Sequence, residues 1–75
     1  MTQTITFDVR GISYEADCEY EADDMMHYDH LSISPVGHGY NFLWQLEHAP
    51  EWPEVDMAID AEWNRRVTAS ERAQA

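Results

Sequence analysis

The chain contains no lysine, only one cysteine and no long run of apolar residues. A single cysteine, Cys18, excludes an intramolecular disulfide, and we expect it to be a small buried hydrophobic side chain. The absence of an apolar run of about 18 residues leaves no candidate membrane span. No signal-peptide or lipidation pattern is visible either, so the sequence predicts a cytoplasmic protein.

The charge balance is strongly negative and unevenly distributed. Fifteen Asp and Glu stand against four Arg, which gives a formal net charge of −11 over 75 residues. Arg10 is the only cation of residues 1–62 apart from histidine, and Arg65, Arg66 and Arg72 follow in residues 63–75. A body of this charge would repel phosphates, so we expect no direct binding of nucleic acid. Basic protein surfaces would instead attract it, most strongly at low salt.

The length and composition predict one small domain over residues 1–75. Hydrophobic residues make up 44% of the chain, which is enough for a packed core. No Gly-rich phosphate loop, nucleophile elbow or zinc-protease motif is present. We therefore expect a protein that is not an enzyme and that binds no cofactor.

Two neighbouring segments alternate polar and apolar residues and predict a β-hairpin. The segments are residues 3–10 and 12–21, and Arg10-Gly11 forms the turn between them. Gly11 can adopt the positive φ that a two-residue hairpin turn needs. Pairing Val9 with Ile12 then brings apolar residues together along both strands. A slip of one residue would destroy that agreement, so the register is predicted as well.

The remaining elements complete an α+β fold, with an antiparallel sheet covered by a C-terminal helix. Residues 21–29 lack a clear period and predict a turn or loop after the second strand. Residues 30–35 predict a third strand with Leu31 and Ile33 facing inward, and Pro35 either ends this strand or places it at a sheet edge. Residues 40–46 fit either a strand or a helix that groups Phe42, Leu43 and Leu46. We favour a strand, because aromatic-rich runs after Gly turns are typical of strands.

The helix is predicted over residues 53–67. Pro53 suits its first turn, and Val55, Ile59 and Trp63 recur at intervals of four residues. Residues 68–75 are expected to fray. Most aromatic side chains are expected in the core, whereas Trp52, which lies between two prolines, is expected to be partly exposed.

The most informative pattern is a row of acids on the polar side of the second strand. In a strand every second side chain shares a face, so these carboxylates stand roughly 7 Å apart and have about half the charge density of one DNA strand. The row continues beyond the strand. Its members are Glu15, Asp17, Glu19, Glu21, Asp23, Asp24 and Asp29.

Two interpretations of this row remain open. It can be a solvated face that keeps a small protein soluble. It can also be a surface that imitates the nucleic-acid backbone and occupies a basic groove. The complete lack of lysine favours the second interpretation, because solubility alone does not require it.

A histidine-rich segment contains residue types that can bind a metal ion. Its candidate ligands are His27, Asp29, His30 and His38, and side chains of this kind bind divalent ions. Their spacing matches no metal-binding signature, so no metal is predicted.

In size, acidity, lack of lysine and layout, the chain resembles the small acidic proteins of phages and mobile elements, and among them the anti-CRISPR proteins. The resemblance covers the whole chain and includes no motif. It implies an inhibitor that binds the basic nucleic-acid channel of a CRISPR effector by imitating DNA. The alternative is a non-enzymatic phage accessory or assembly protein that acts through an apolar face, the sheet edge at residues 31–35 or a dimer interface. Monomer and homodimer are both compatible with the sequence.

Overall fold

A computed structural model describes residues 1–74, with side chains described through Ser70. It contains a three-stranded antiparallel sheet in the order β1-β2-β3, and a long C-terminal helix lies across one of its faces. The predicted α+β fold is therefore confirmed. The elements are β1 (Thr2–Val9), β2 (Ile12–Glu21), β3 (Asp24–Pro35), α1 (Leu43–Glu47) and α2 (Trp52–Gln74).

The N-terminal hairpin has the predicted register. Val9 pairs with Ile12 and Phe7 with Tyr14, and the pairing continues without interruption to Thr2 and Glu19. Arg10 and Gly11 form the turn with φ values of 51° and 79°. Two successive positive φ values are typical of the type I′ turn, whose twist matches that of the two strands.

The turn or loop predicted over residues 21–29 is present but much shorter than predicted. The chain turns at residues 22–23, and β3 already begins at Asp24. The pairing then shifts, because Glu21 lies opposite Asp24 whereas Tyr20 lies opposite Tyr28. The residues of β3 that lie between these two pairs interrupt the alternation of polar and apolar residues. A period-2 pattern therefore could not reveal this part of the strand.

A second irregularity in β3 reverses the predicted orientation of Leu31. Asp17 pairs with Ser32 and Cys18 with His30, so Leu31 is the extra residue of a β-bulge. Its side chain is 45% exposed, whereas Ile33 is fully buried as predicted. The inward orientation predicted for Leu31 is therefore wrong.

The strand predicted over residues 40–46 is also wrong, because α1 occupies residues 43–47. The Asn41 side chain supports this helix, since its Oδ1 accepts hydrogen bonds from the backbone N–H of Leu43 at 2.9 Å and of Ile33 at 3.1 Å. Leu43 and Leu46 pack against the core. Tyr40 and Trp44 are 59% and 68% exposed, contrary to the core position expected of them.

Helix α2 carries the predicted core face and is longer than predicted. Val55, Ile59, Trp63 and Val67 are all buried against the sheet. The end predicted at residue 67 is wrong, because the helix continues to Gln74. Residues 68–74 contain neither Gly nor Pro, and most of them favour helix. Ala75 lies outside the described residues.

A hydrogen bond from the Trp63 side chain connects α2 to β3 at one end of the core. Its Nε1–H donates to the Met25 carbonyl at 2.6 Å, and its ring contacts Tyr20 and Tyr28. Cys18 is completely buried beneath α2, as predicted. None of the helices within residues 1–74 combines the length and apolar character needed to cross a membrane.

Candidate functional site: the acidic face of the sheet

The sheet separates apolar and acidic side chains onto opposite faces. Ala16 and Cys18 of β2 are buried in the core under α2. The residues that alternate with them therefore lie on the other face, together with their partners on β1 and β3. We call this surface the acidic face. It comprises Asp8, Glu15, Asp17, Glu19 and Asp29.

Asp17 lies at the centre of the acidic face and is held by hydroxyl groups from both neighbouring strands. Thr4 Oγ1 donates to its Oδ1 at 2.5 Å, and Ser32 Oγ donates to its Oδ2 at 3.1 Å. Asp8 accepts a similar bond from Ser13 Oγ at 2.6 Å. These neutral donors orient the two carboxylates and leave their negative charge in place.

The other carboxylates of the acidic face are free of side-chain partners among residues 1–70. Glu15, Glu19 and Asp29 accept no hydrogen bond from a described side chain, and Glu19 lies directly opposite Asp29 in the β2–β3 pairing. Like charges at directly opposite positions are destabilising. The arrangement therefore costs stability and leaves charge available to a partner.

The described arginines pair with glutamates outside the acidic face. Arg10 forms an ion pair with Glu54 at 2.8 Å. Arg65 and Arg66 both pair with Glu62, at 2.6 and 3.1 Å. Within the part of the chain whose side chains are described, none of the arginines neutralises the acidic face. The side chain of Arg72 lies outside that part.

The predicted acidic row divides into two groups in the structure. Glu15, Asp17 and Glu19 form the expected row on β2, and the pairing of the strands places Asp29 beside Glu19. The remaining three members, Glu21, Asp23 and Asp24, lie at the β2–β3 turn.

Two members of the turn group, Glu21 and Asp24, border an open cavity of about 410 Å³. Its lining includes Glu21, Asp24 and His27, together with Tyr20 and Tyr28. His27 Nδ1 lies 2.9 Å from the Asp24 carboxylate, and this hydrogen bond raises the pKa of the imidazole. Among the residues whose side chains are described, His27 is thus the basic group that pairs with an acid of the turn.

Asp8 belongs to the acidic face and was missing from the predicted row. It lies on β1, opposite Ser13, at a position that the hairpin register alone assigns to this face. The predicted hairpin register therefore already indicates that Asp8 lies on this face. The alternation within β2 does not include Asp8, because this residue belongs to the neighbouring strand β1.

The candidate metal ligands do not form a site. His27 pairs with Asp24, whereas the His30 ring lies between Tyr28 and Trp52, and its Nε2 is buried without a hydrogen-bond partner. Among the residues that the structure describes, no three His, Cys, Asp or Glu side chains are grouped so that they could hold a metal ion.

Trp52 is half-buried, in agreement with the sequence prediction.

Comparisons with known proteins found no matching family model, no matching curated protein and no matching solved structure.

Proposed function

We propose that this protein inhibits a nucleic-acid-binding complex by occupying its basic groove with the acidic face. The observation that carries the proposal is the segregation of charge: five carboxylates share one face of the sheet, and the described arginines are all paired elsewhere. The resemblance to anti-CRISPR proteins suggests a CRISPR effector, in the host cytoplasm, as the target.

The spacing of the carboxylates supports partial imitation of DNA. Along β2, alternate side chains stand roughly 7 Å apart, about twice the spacing of phosphates along one DNA strand. Asp8 and Asp29 add charges on the two adjacent strands, each about 4.8 Å from β2. The face thus presents a two-dimensional array of carboxylates to an arginine- and lysine-lined groove.

The proposed action is binding and includes no chemical step. A stoichiometric inhibitor of this kind would act by electrostatic attraction, with rapid association that slows as salt screens the charges. Inhibition should therefore weaken as ionic strength increases.

Competition between this protein and DNA for a CRISPR surveillance complex tests the proposal. The informative variant carries Glu15→Gln, Glu19→Gln and Asp29→Asn, and it retains Asp17 with its two hydroxyl donors. The matched control carries Glu47→Gln, Glu51→Gln and Asp56→Asn, which remove the same charge elsewhere. We expect the first variant to inhibit about tenfold or more weakly, a loss of about 1.4 kcal/mol, and the control to inhibit nearly as well as the wild type.

Two results would contradict the proposal. Equal weakening by both variants would mean that only net charge matters. Unchanged inhibition by the first variant would mean that another surface binds the target.

The exposed aromatic residues favour one alternative, a phage accessory or assembly protein that associates through an apolar surface. Tyr40 and Trp44 are largely exposed, and Trp44 stacks on His48 with ring centroids 4.3 Å apart. Sedimentation distinguishes this alternative. A stable homodimer that resists salt and is dissociated by Trp44→Ser would support it over the acidic-face proposal.

A further inference from the structure

The two edges of the sheet differ in how well they are protected. The outer edge of β3 is blocked at Ile33, whose backbone N–H donates to Asn41 Oδ1 and whose carbonyl accepts from the Phe42 N–H at 2.7 Å. The same strand contains two register shifts and ends at Pro35. Coverage, bulges and proline are the usual means by which proteins prevent an edge from pairing with another strand.

The edge of β1 lacks these protections. Its pairing with β2 is continuous from Thr2 to Val9, and it contains neither proline nor lysine. No described residue outside β2 forms a hydrogen bond with its backbone.

The hydrogen bonds between Met1 and Tyr20 show which backbone N–H and C=O groups of β1 are not bonded to β2. Met1 and Tyr20 exchange two hydrogen bonds, from Met1 N to Tyr20 O at 2.9 Å and from Tyr20 N to Met1 O at 2.8 Å. Such pairs alternate along an antiparallel ladder, so the odd-numbered residues of β1 bond to β2. The N–H and C=O groups of the even-numbered residues point away from the sheet. These residues are Thr2, Thr4, Thr6 and Asp8.

We propose that β1 accepts an extended, lysine- or arginine-rich segment of the target protein as a fourth strand. The inference rests on the proposed function, since it specifies the partner segment that lies beside the acidic face. The backbone of β1 would supply the hydrogen bonds, and the carboxylates would select the side chains, as in other cases of strand addition.

The geometry favours basic side chains at alternate positions of the added strand. A residue opposite Thr4 or Thr6 would project its side chain onto the acidic face, because directly opposite residues share a face. The threonines are short, so a long basic side chain can extend across them towards Asp17 and Glu15, their partners on β2. A residue opposite Asp8 would meet a carboxylate directly.

Charge complementarity also favours this occupant over a second copy of the chain. A second copy would bring another formal charge of −11 to the edge and place two acidic faces side by side. A basic segment would instead neutralise the acidic face as it pairs.

The test uses a nine-residue peptide that alternates Lys and Thr, and a second peptide of the same sequence in which the lysine amides are N-methylated. The second peptide keeps its charge but cannot donate hydrogen bonds to β1. We expect the first peptide to slow hydrogen exchange at the amides of Thr2, Thr4, Thr6 and Asp8. We expect the methylated peptide to bind roughly tenfold or more weakly, because it loses several backbone hydrogen bonds.

A variant of the protein provides an independent measurement. Thr6→Pro removes an outward N–H that β2 does not use, and edge strands tolerate proline at such positions. The variant should remain folded by circular dichroism and lose most of its affinity for the first peptide.

Three outcomes would overturn the inference. Equal binding of the two peptides would show that pairing with β1 does not occur. Peptide binding without slower exchange in β1 would show the same. A free protein that sediments as a dimer with these amides already protected would show that a second copy occupies the edge. None of these outcomes depends on inhibition, so the acidic-face proposal is tested separately by the competition assay.

Discussion

Among single residues, Trp63 combines burial in the core with a side-chain hydrogen bond and two aromatic contacts. It is 1% exposed, its ring lies against Tyr20 and Tyr28, and its indole N–H donates to the Met25 carbonyl. It therefore connects α2 to the irregular start of β3. This hydrogen bond was not predictable from the sequence, because it depends on a bulged segment that the alternation pattern conceals.

Trp63→Phe should lower the free energy of unfolding by about 2 kcal/mol. The substitution removes the hydrogen-bond donor of the Met25 carbonyl and leaves part of the indole volume empty. Urea denaturation measures the loss. Trp44→Phe is the control, since Trp44 is exposed and its replacement should change stability by less than about 0.5 kcal/mol. Equal losses in both variants would contradict the assigned core position of Trp63.

The buried thiol of Cys18 should make the free energy of unfolding depend on pH in the alkaline range. Burial, aided by the negative charge of Asp17, raises the pKa of the thiol from 9.0 to about 11. Between these values the unfolded chain loses the proton and the folded protein keeps it. The stabilisation is therefore complete below pH 9 and is lost as the pH rises to about 11.

The expected loss from Cys18 is roughly 2 kcal/mol over this interval. Denaturant titrations at pH 8 and pH 11 measure it, and Cys18→Ala should show a smaller decrease between the two. A decrease should persist in the variant, because burial and the nearby Asp60 raise the pKa of Tyr28 as well. Identical decreases in the two proteins would show that the thiol does not titrate in this way.

At the scale of elements, the first hairpin was predictable because all its determinants are local. The alternation of residues 3–10 and 12–21 assigns the faces, and Arg10-Gly11 supplies the turn. Helix α2 was predictable for a similar reason, since Val55, Ile59 and Trp63 recur on one side. By contrast, α1 depends on Asn41, which bonds simultaneously to Leu43 and to Ile33 on another element.

Gly11→Ala should destabilise the protein by about 1 kcal/mol. Gly11 has a φ of 79°, and a Cβ at such a φ meets the neighbouring carbonyl oxygen. Thermal or urea unfolding measures the change. Gly39→Ala is the matched control, because Gly39 also has open space for a Cβ and does not have a positive φ. If the two variants lose equal stability, backbone strain at the hairpin turn is not the cause.

At the scale of the whole molecule, the distribution of charge is the dominant property. The net charge of −11 follows from composition, but its segregation follows from the sheet. The register of β1, β2 and β3 brings carboxylates from three strands onto one surface, and the arginines whose side chains are described pair with Glu54 and Glu62 of α2. Electrostatic repulsion within the folded protein should therefore limit its stability.

Asp29→Asn should increase stability by a few tenths of a kcal/mol at low salt, because it relieves repulsion with Glu19. Added NaCl should stabilise the wild type, and the increase should be smaller in this variant. Glu54→Gln is the control with the opposite sign, since it removes the ion pair with Arg10 and should destabilise slightly. Melting temperatures measured against NaCl concentration test all four expectations. A destabilised Asp29→Asn variant would contradict the assigned repulsion.

The hairpin register, the core face of the long helix and the excess of negative charge can all be derived from the amino-acid sequence. These features depend on residues that are close in sequence or on composition, so period and charge counting recover them. The extent of β3, the outward orientation of Leu31, the helical state of residues 43–47 and the position of Asp29 on the acidic face depend instead on contacts between distant segments. The physical reason is that bulges and backbone hydrogen bonds between distant segments change which face a residue occupies, and no local periodicity reports them.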